Sequence, residues 1–273
     1  MNRDRSSEWT QPSLKELGLD LVQVRPWERG IALAGPLAWI ALFFGAGSLG
    51  WWPLMITAAM AHSFFTYGSV SHDLVHRTLG LTRFWNEILL SVIEASGFRS
   101  GHAYRFTHLH HHRMFPDPED VEARTSRMGW VRALADGVVT QPRLWIWAFR
   151  RAPRPLRTWI LVEGVVVLLL AGGCLAALPW TPLPAAYLGL MVAGSWIFPL
   201  VTVVVPHRAD GGTALEQTRL FRGRILSWIA FGHLYHLEHH LYPAVPHQRW
   251  GELARRLDPH FRSAGLKPLV LWR

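Results

Sequence analysis

The chain has 273 residues, of which 50% are apolar and 17% charged, with 15 Trp and a formal net charge of +9. Ordinary soluble domains carry about 25% charged residues, so this composition argues against a soluble enzyme, and the clumping of the apolar residues argues for a membrane protein. In a soluble chain such a charge would suit nucleic-acid binding; here the positions of the basic residues give a better explanation.

Residues 1–30 are polar, with five basic and five acidic residues, and read as a cytosolic lead-in closed by Pro26 and Trp27. The start of the chain lacks the apolar core of a signal peptide. Residues 31–47 and 51–70 contain no Asp, Glu, Lys or Arg. Crossing the hydrocarbon takes about 20 helical residues, so these segments predict a transmembrane hairpin over 31–70, turning between Gly45 and Gly50. His62 lies inside the second span and reads as a packing or hydrogen-bonding residue. The span then delivers His72-Asp73-Leu74-Val75-His76, whose two histidines are i, i+4 on a helix and face one way.

Residues 71–157 form a long polar excursion with 13 Arg and no Lys. Within it, 84–98 is apolar but carries Glu87 and Glu94, and reads as an interfacial or re-entrant helix. Arg105 to His112 follows, with four histidines in eight positions. On a helix, His108, His111 and His112 share a face while His110 points elsewhere. His102 reads as a polar surface residue or one facing an electron donor. A proline-broken acidic loop comes next, and residues 129–152 predict an amphipathic helix on the membrane, broken at Pro142.

Residues 158–178 and 184–205 predict a second transmembrane hairpin over 158–205. Glu163 lies near its start, either snorkelling or facing inward. Cys174, the single cysteine, cannot form an internal disulfide and reads as a small apolar residue. Residues 206–273 are polar again. His207 opens them, 214–240 reads as one long helix ending in His236-x-x-His239-His240, and 247–258 as a short final helix. His233 lies one turn before His236, near the same face. His247 and His260 read as surface residues.

The 28 basic residues divide as 5 before the first span, 13 between the hairpins and 10 after the last, with none in the two short turns. That pattern predicts both termini and both polar segments, 71–157 and 206–273, in the cytosol, forming one cap of a single domain. The positive charge then reflects topology and anionic lipid, not nucleic acid. Trp51, Trp52 and Trp180 mark one membrane interface, Trp27 and Trp159 the other. The expected fold is an all-α integral membrane protein: four transmembrane helices in two hairpins and a cytosolic helical cap carrying three histidine clusters.

Eight histidines at such spacings exceed what one ion needs, and two metal ions in a shared shell is the economical reading. Nitrogen ligation with carboxylates nearby suits Fe, with Zn or Cu open by ligand type. Asp73, Glu94, Asp117, Asp120 and Glu238 are candidate acceptors for the outer ring nitrogens. A divalent-metal transporter is the non-enzyme alternative, but transporter ligands lie near the bilayer midplane, whereas these follow helix ends.

The segments H-D-L-V-H, R-F-T-H-L-H-H-H with its following D-P-E-D, and H-L-E-H-H-L-Y-P resemble the three histidine boxes of the membrane fatty-acid desaturase superfamily, which includes acyl-lipid and acyl-CoA desaturases and carotenoid hydroxylases and ketolases. The likeness extends over nearly the whole chain. It implies a non-haem centre of two Fe ions, O₂ as co-substrate, and electrons from a separate ferredoxin or cytochrome b5 type donor. It assigns as ligands His72 and His76, then His108, His111 and His112, then His236, His239 and His240. In the acyl-CoA desaturases another ligand histidine precedes the third box by 29 residues; here that position is His207. Those relatives carry an Asn four residues earlier, where this chain has Val203, so His233 or a water is the substitute the resemblance leaves. The Glu238 context favours an acyl substrate over the alternative, carotenoid hydroxylation or ketolation.

Overall fold

The computed structural model describes residues 9–223 and 232–270. Among them the chain is almost wholly helical. A short α1 (Leu14–Leu17) and a 3-10 turn precede α2 (Pro26–Ser48) and α3 (Trp52–Thr66). A π-helical turn, Tyr67–Ser71, leads from α3 into α4 (His72–His76). Then come α5 (Arg83–Ser96), α6 (Gly101–Met114), α7 (Trp130–Arg151), α8 (Arg154–Ala176) and α9 (Leu183–Phe198). A second π turn, Pro199–Val204, continues α9. After the two-residue strand β1 (Phe221–Arg222), α10 (His236–Leu241) and α11 (Trp250–Ser263) lead to β2 (Leu269–Val270), parallel to β1.

Among the described residues, three helices are long and apolar enough to cross a membrane: Pro26–Ser48, Arg154–Ala176 and Leu183–Val204. Their outer faces present apolar side chains, among them Ile31, Leu37, Val162, Leu168 and Leu169, which water would penalise and lipid accepts. The remaining apolar segment forms α3, only 15 residues of regular helix before its π turn. It packs between α2 and α9 through Phe43, Met55, Ala58, Ala59, Tyr187 and Met191. Small residues on α3 allow that close approach.

Helices α5 and α6 form a tight hairpin. A Cβ on Gly101 would lie 2.7 Å from the Leu90 carbonyl oxygen, so only glycine permits the crossing. The hairpin tip carries Phe98, which packs against the α2–α3–α9 core. The lead-in is tied down as well. Leu17 and Leu21 join Leu237, Trp250, Leu253, Leu257 and Phe261 in a separate core, and Arg256 pairs with Asp20 at 2.7 Å.

Two helical expectations fail for identifiable reasons. Pro142 does not break α7. Thr140 Oγ1 donates to the Asp136 carbonyl at 3.0 Å and Arg143 grips the Asp136 carboxylate, which stabilises the turn next to the proline. Nor do residues 214–240 form one helix. Where described, residues 213–223 are turns and a short strand, because they fold back to cap the end of the α9 helix. Arg219 Nη1 donates to the carbonyls of Val205 at 2.7 Å and His207 at 2.6 Å, and the Arg208 N–H donates to the Gln217 carbonyl at 2.7 Å. Those end carbonyls would otherwise lack donors. The middle of that expected helix lies outside the described residues.

Candidate metal centre

Each box is held by a different device. The first follows the π turn that ends α3, and an inserted residue of this kind re-aims the side chains beyond it. Arg105 of α6 caps this box, donating from Nη2 to the Leu74 carbonyl at 2.7 Å and from Nε to that of Val75 at 3.3 Å. The second box lies at the end of α6. The start of α6 is fixed by Glu163 from α8, which accepts from the His102 backbone N–H at 3.0 Å and from Ser100 Oγ. A carboxylate suits the positive end of a helix, and this is why an acidic residue stands in an apolar helix: it faces inward. His102 is not at the surface. It is 2% exposed, with Nδ1 2.7 Å from Glu163, Nε2 2.8 Å from Glu87 and its ring stacked on Trp159. The third box is α10, packed beneath Trp250, whose ring lies 4.8 Å from that of His239.

These devices bring all nine predicted histidines together as two adjacent groups: His72, His76, His108, His112 and His239, and His111, His207, His236 and His240. Within each group the candidate nitrogens lie within 4.8 Å of one another. The boxes are therefore split. At 100° per residue an i, i+4 pair diverges by about 40°, while the i+3 residue lies about 60° to the other side. His108 and His112 accordingly join the first group and His111 the second. In α10, His236 and His240 join the second and His239 the first.

The Nε2 atoms of the first group form a closed circuit. His72 to His239 is 3.0 Å, His239 to His112 2.8 Å, His112 to His108 3.1 Å and His108 to His72 3.1 Å. His76 stands over it, its ring 4.6–5.1 Å from the other four and its buried Nε2 without a partner among the described residues. In the second group His207, His236 and His240 form a triangle of 3.1–3.2 Å edges, and His111 lies 3.0 Å from His207.

These contacts are not ordinary hydrogen bonds. His207 Nδ1 faces the Val203 carbonyl at 3.0 Å, and a carbonyl can only accept, so Nδ1 carries the proton and Nε2 a lone pair. His111 Nδ1 faces Asp120 at 2.6 Å and His108 Nδ1 faces Glu122 at 2.9 Å, which selects the same tautomer. Two lone pairs 3.0 Å apart repel unless a cation stands between them. With metal–nitrogen bonds of about 2.1 Å, neighbouring ligands at right angles lie about 3 Å apart. The donor set, the spacing and the orphaned His76 Nε2 all fit metal ions.

The electrostatics agree. Burial, reinforced by neighbouring rings, holds His72, His108, His112, His207, His236, His239 and His240 well below the usual histidine range, and brings His76 down to about 4. Neutral imidazole is the ligating form. For His111, burial pulls down but the Asp120 hydrogen bond and nearby charge lift it above its ordinary value. Burial pushes Glu122 up to about 7.

Of the expected acceptors, only Asp120 bonds a cluster ring among the described contacts. Asp73 instead accepts from Thr78 and from the His247 backbone N–H at 2.8 Å, tying the first box to the C-terminal segment. Glu94 is consumed by Ser71 and a buried ion pair with Arg99 at 2.8 Å. Glu238 pairs with Arg222 at 2.7 Å, and Asp117 caps the acidic loop at Glu119. Glu122 and the Val203 carbonyl were not anticipated. Glu122 sits two residues beyond D-P-E-D, brought back by the 3-10 turn Ala123–Arg127. The ring of His110 packs on Trp147 at 4.7 Å, off the clusters. His62 is fully buried beside Thr66 and Ser96. His233 seats its ring over Gly68, where any Cβ would collide, and lines the cavity beside the clusters. That cavity is about 30 Å³, room enough for water.

The fatty acid desaturase family matches residues 46–270, and the chain belongs to that family. No curated protein matches it. It is a membrane protein of an oxidoreductase family with two histidine groups able to hold metal.

Proposed function

We propose that the protein is an O₂-dependent membrane oxidoreductase that desaturates the fatty-acyl chain of a lipid at a centre of two iron ions. The single observation that carries this reading is the grouping of nine histidines into two sets whose candidate ligand nitrogens lie within 4.8 Å of one another. His72, His76, His108, His112 and His239 would hold one iron, and His111, His207, His236 and His240 the other. Bound there, the irons would supply the oxidising power needed to remove hydrogen from an unactivated CH₂.

The chain's own residues do the rest. Asp120, Glu122 and the Val203 carbonyl hold the Nδ1 protons, so that Nε2 faces the metals, and such partners raise ligand basicity. Val203 replaces the Asn of some relatives, and its backbone carbonyl orients His207 from that position. Tyr67, Tyr104 and Trp250 wall the small cavity between the groups and exclude bulk water. The nine imidazoles, neutral when ligating, would add no ligand charge to the metals they hold.

The proposal includes four spans, α3 with its π turn completing two hairpins, and places both termini and the metal centre in the cytosol, with electrons delivered by a separate ferredoxin or cytochrome b5 type protein. The test is lipid and pigment profiling of cells with and without the protein. New unsaturation in acyl lipids, lost in His239→Ala, is expected. A hydroxylated or keto carotenoid with unchanged acyl chains would overturn the acyl assignment.

A further inference from the structure

The third box carries three of the nine histidines on the weakest support. Its helix α10 has six residues, His236–Leu241, and an isolated helix shorter than about 12 residues is marginal in water. The second box, by comparison, stands at the end of the 14-residue α6. Helix α10 also serves both groups, with His239 in the first and His236 and His240 in the second. Movement of this one short helix would therefore open both groups at once.

Much of what holds α10 comes from the other end of the chain. Carbonyls at a helix C-terminus lack intrahelical donors, and that of Leu241 accepts from Gln11 Nε2 at 2.7 Å. In the next residue, Tyr242 Oη donates to the Pro12 carbonyl at 2.6 Å, a buried bond. Leu237 of α10 shares one core with Leu17 and Leu21, and Trp9 and Leu14 pack against it. The lead-in is fixed in turn. Ser13 and Glu16 close a capping box at α1, and Arg256 Nη1 donates to the Leu17 carbonyl at 2.7 Å and to Asp20 at 2.8 Å. Glu28, in the first turn of α2, pairs with Arg249 at 2.7 Å. The two bonds to α10 and its next residue are unequal. Water can replace the exposed Gln11 at its carbonyl, whereas loss of the Tyr242 hydroxyl would leave a buried carbonyl unpaired.

We propose that residues 9–22 clamp the third box, with Gln11 and Tyr242 as positioning residues that set how firmly both groups retain metal. The metal-retention part rests on the proposed iron centre; the clamp itself rests on the contacts of α10. Asp120 and Glu122 each support a ring of one group, whereas the clamp acts through α10 on both. A weakened clamp therefore loosens the two metals together.

The test is chelator-driven release of iron from the full chain, paired with hydrogen exchange of residues 236–242 in metal-free protein. Tyr242→Phe should speed iron release about tenfold, as one buried unpaired carbonyl implies, and Gln11→Glu, which keeps the shape and loses the donor, about twofold. Gln11→Lys, which keeps a donor, should release iron at the wild-type rate. Both irons should leave faster by the same factor, and exchange over 236–242 should rise in Tyr242→Phe. Phe261→Leu weakens the same core but removes neither hydrogen bond, and should lower the thermal midpoint without faster release. Acceleration of one iron alone, of neither, or equally by Phe261→Leu would overturn the proposal. A wild-type protein that takes up no iron would overturn the proposed function instead. Exchange then decides the clamp: a rise in Tyr242→Phe upholds it, and unchanged exchange overturns it.

Discussion

The two histidine groups draw on the same boxes and are not equivalent. The first gathers five rings, four of them in a closed circuit with His76 above; the second gathers four, three of them in a triangle. On the proposed reading, the second group would offer a metal one imidazole fewer than the first. Their outer supports differ too. His108 leans on Glu122, while His111 leans on Asp120 and His207 on the Val203 carbonyl. The same H-x-x-H-H spacing thus serves two unequal sites, because the i, i+4 pair and the i+3 residue diverge around the helix.

The largest effect expected comes from removing a ring common to the core of either group. His112→Ala and His236→Ala should each lower turnover at least about 100-fold, beyond what loss of an outer partner costs, while the protein still inserts in the membrane. Iron analysis separates them: loss of one iron per chain in each variant makes the groups independent, and loss of both in either makes them one cooperative centre. Substantial turnover in either variant would refute the ligand assignment.

Next come the outer partners. Asp120→Asn and Glu122→Gln should each cost about 10–100-fold in metal affinity or activity, measured by chelator competition. Asp120→Asn should weaken the second group and Glu122→Gln the first. Equal weakening of both irons by either change would dissolve the distinction.

A smaller effect concerns pH. His76 is held at about 4 against an ordinary 6.5. Between those values the unfolded chain binds a proton that the folded chain does not, so stability rises with pH across that window. Metal-stripped protein should lose thermal stability as pH falls from 6.5 to 4, and metal-loaded protein, whose ligated rings cannot take up protons, should lose at least as much from a higher starting point. His111, lifted by Asp120, acts oppositely: its contribution is present at low pH and lost as pH rises through its folded value. His76→Gln should flatten the acid-side fall, and a midpoint that rises on acidification would contradict the neutral-ring description.

The smallest change is His110→Ala. It removes one ring contact with Trp147, worth about 1 kcal/mol, and should leave most activity. A dead variant would mean that α6 presents a different face.

Much of the centre is legible in the residue spacing. The i, i+4 and i+3 offsets single out eight histidines and exclude His110, and the likeness to the histidine-box family adds His207. The acidic loop after the second box points to Asp120. Glu122 escapes because its role depends on a 3-10 turn that the residues after D-P-E-D do not announce. Val203 escapes because its carbonyl acts, and a backbone group leaves no mark in the residue type. His102, Glu163 and Glu94 are harder still. Polar residues inside apolar or amphipathic helices look alike whether they bind metal, snorkel or cap a neighbour, and only the packing of α5, α6 and α8 decides. The expected helix over 214–240 shows the same limit: Arg219 is drawn to the open carbonyls at the end of α9, a long-range demand that overrides local helical pattern.

The most direct test of the central claim is the metal itself, by elemental analysis of the purified protein together with anomalous diffraction at the iron edge. Two irons per chain are predicted, one among His72, His76, His108, His112 and His239 and one among His111, His207, His236 and His240. A single zinc per chain, or iron confined to one group with full turnover, would contradict it.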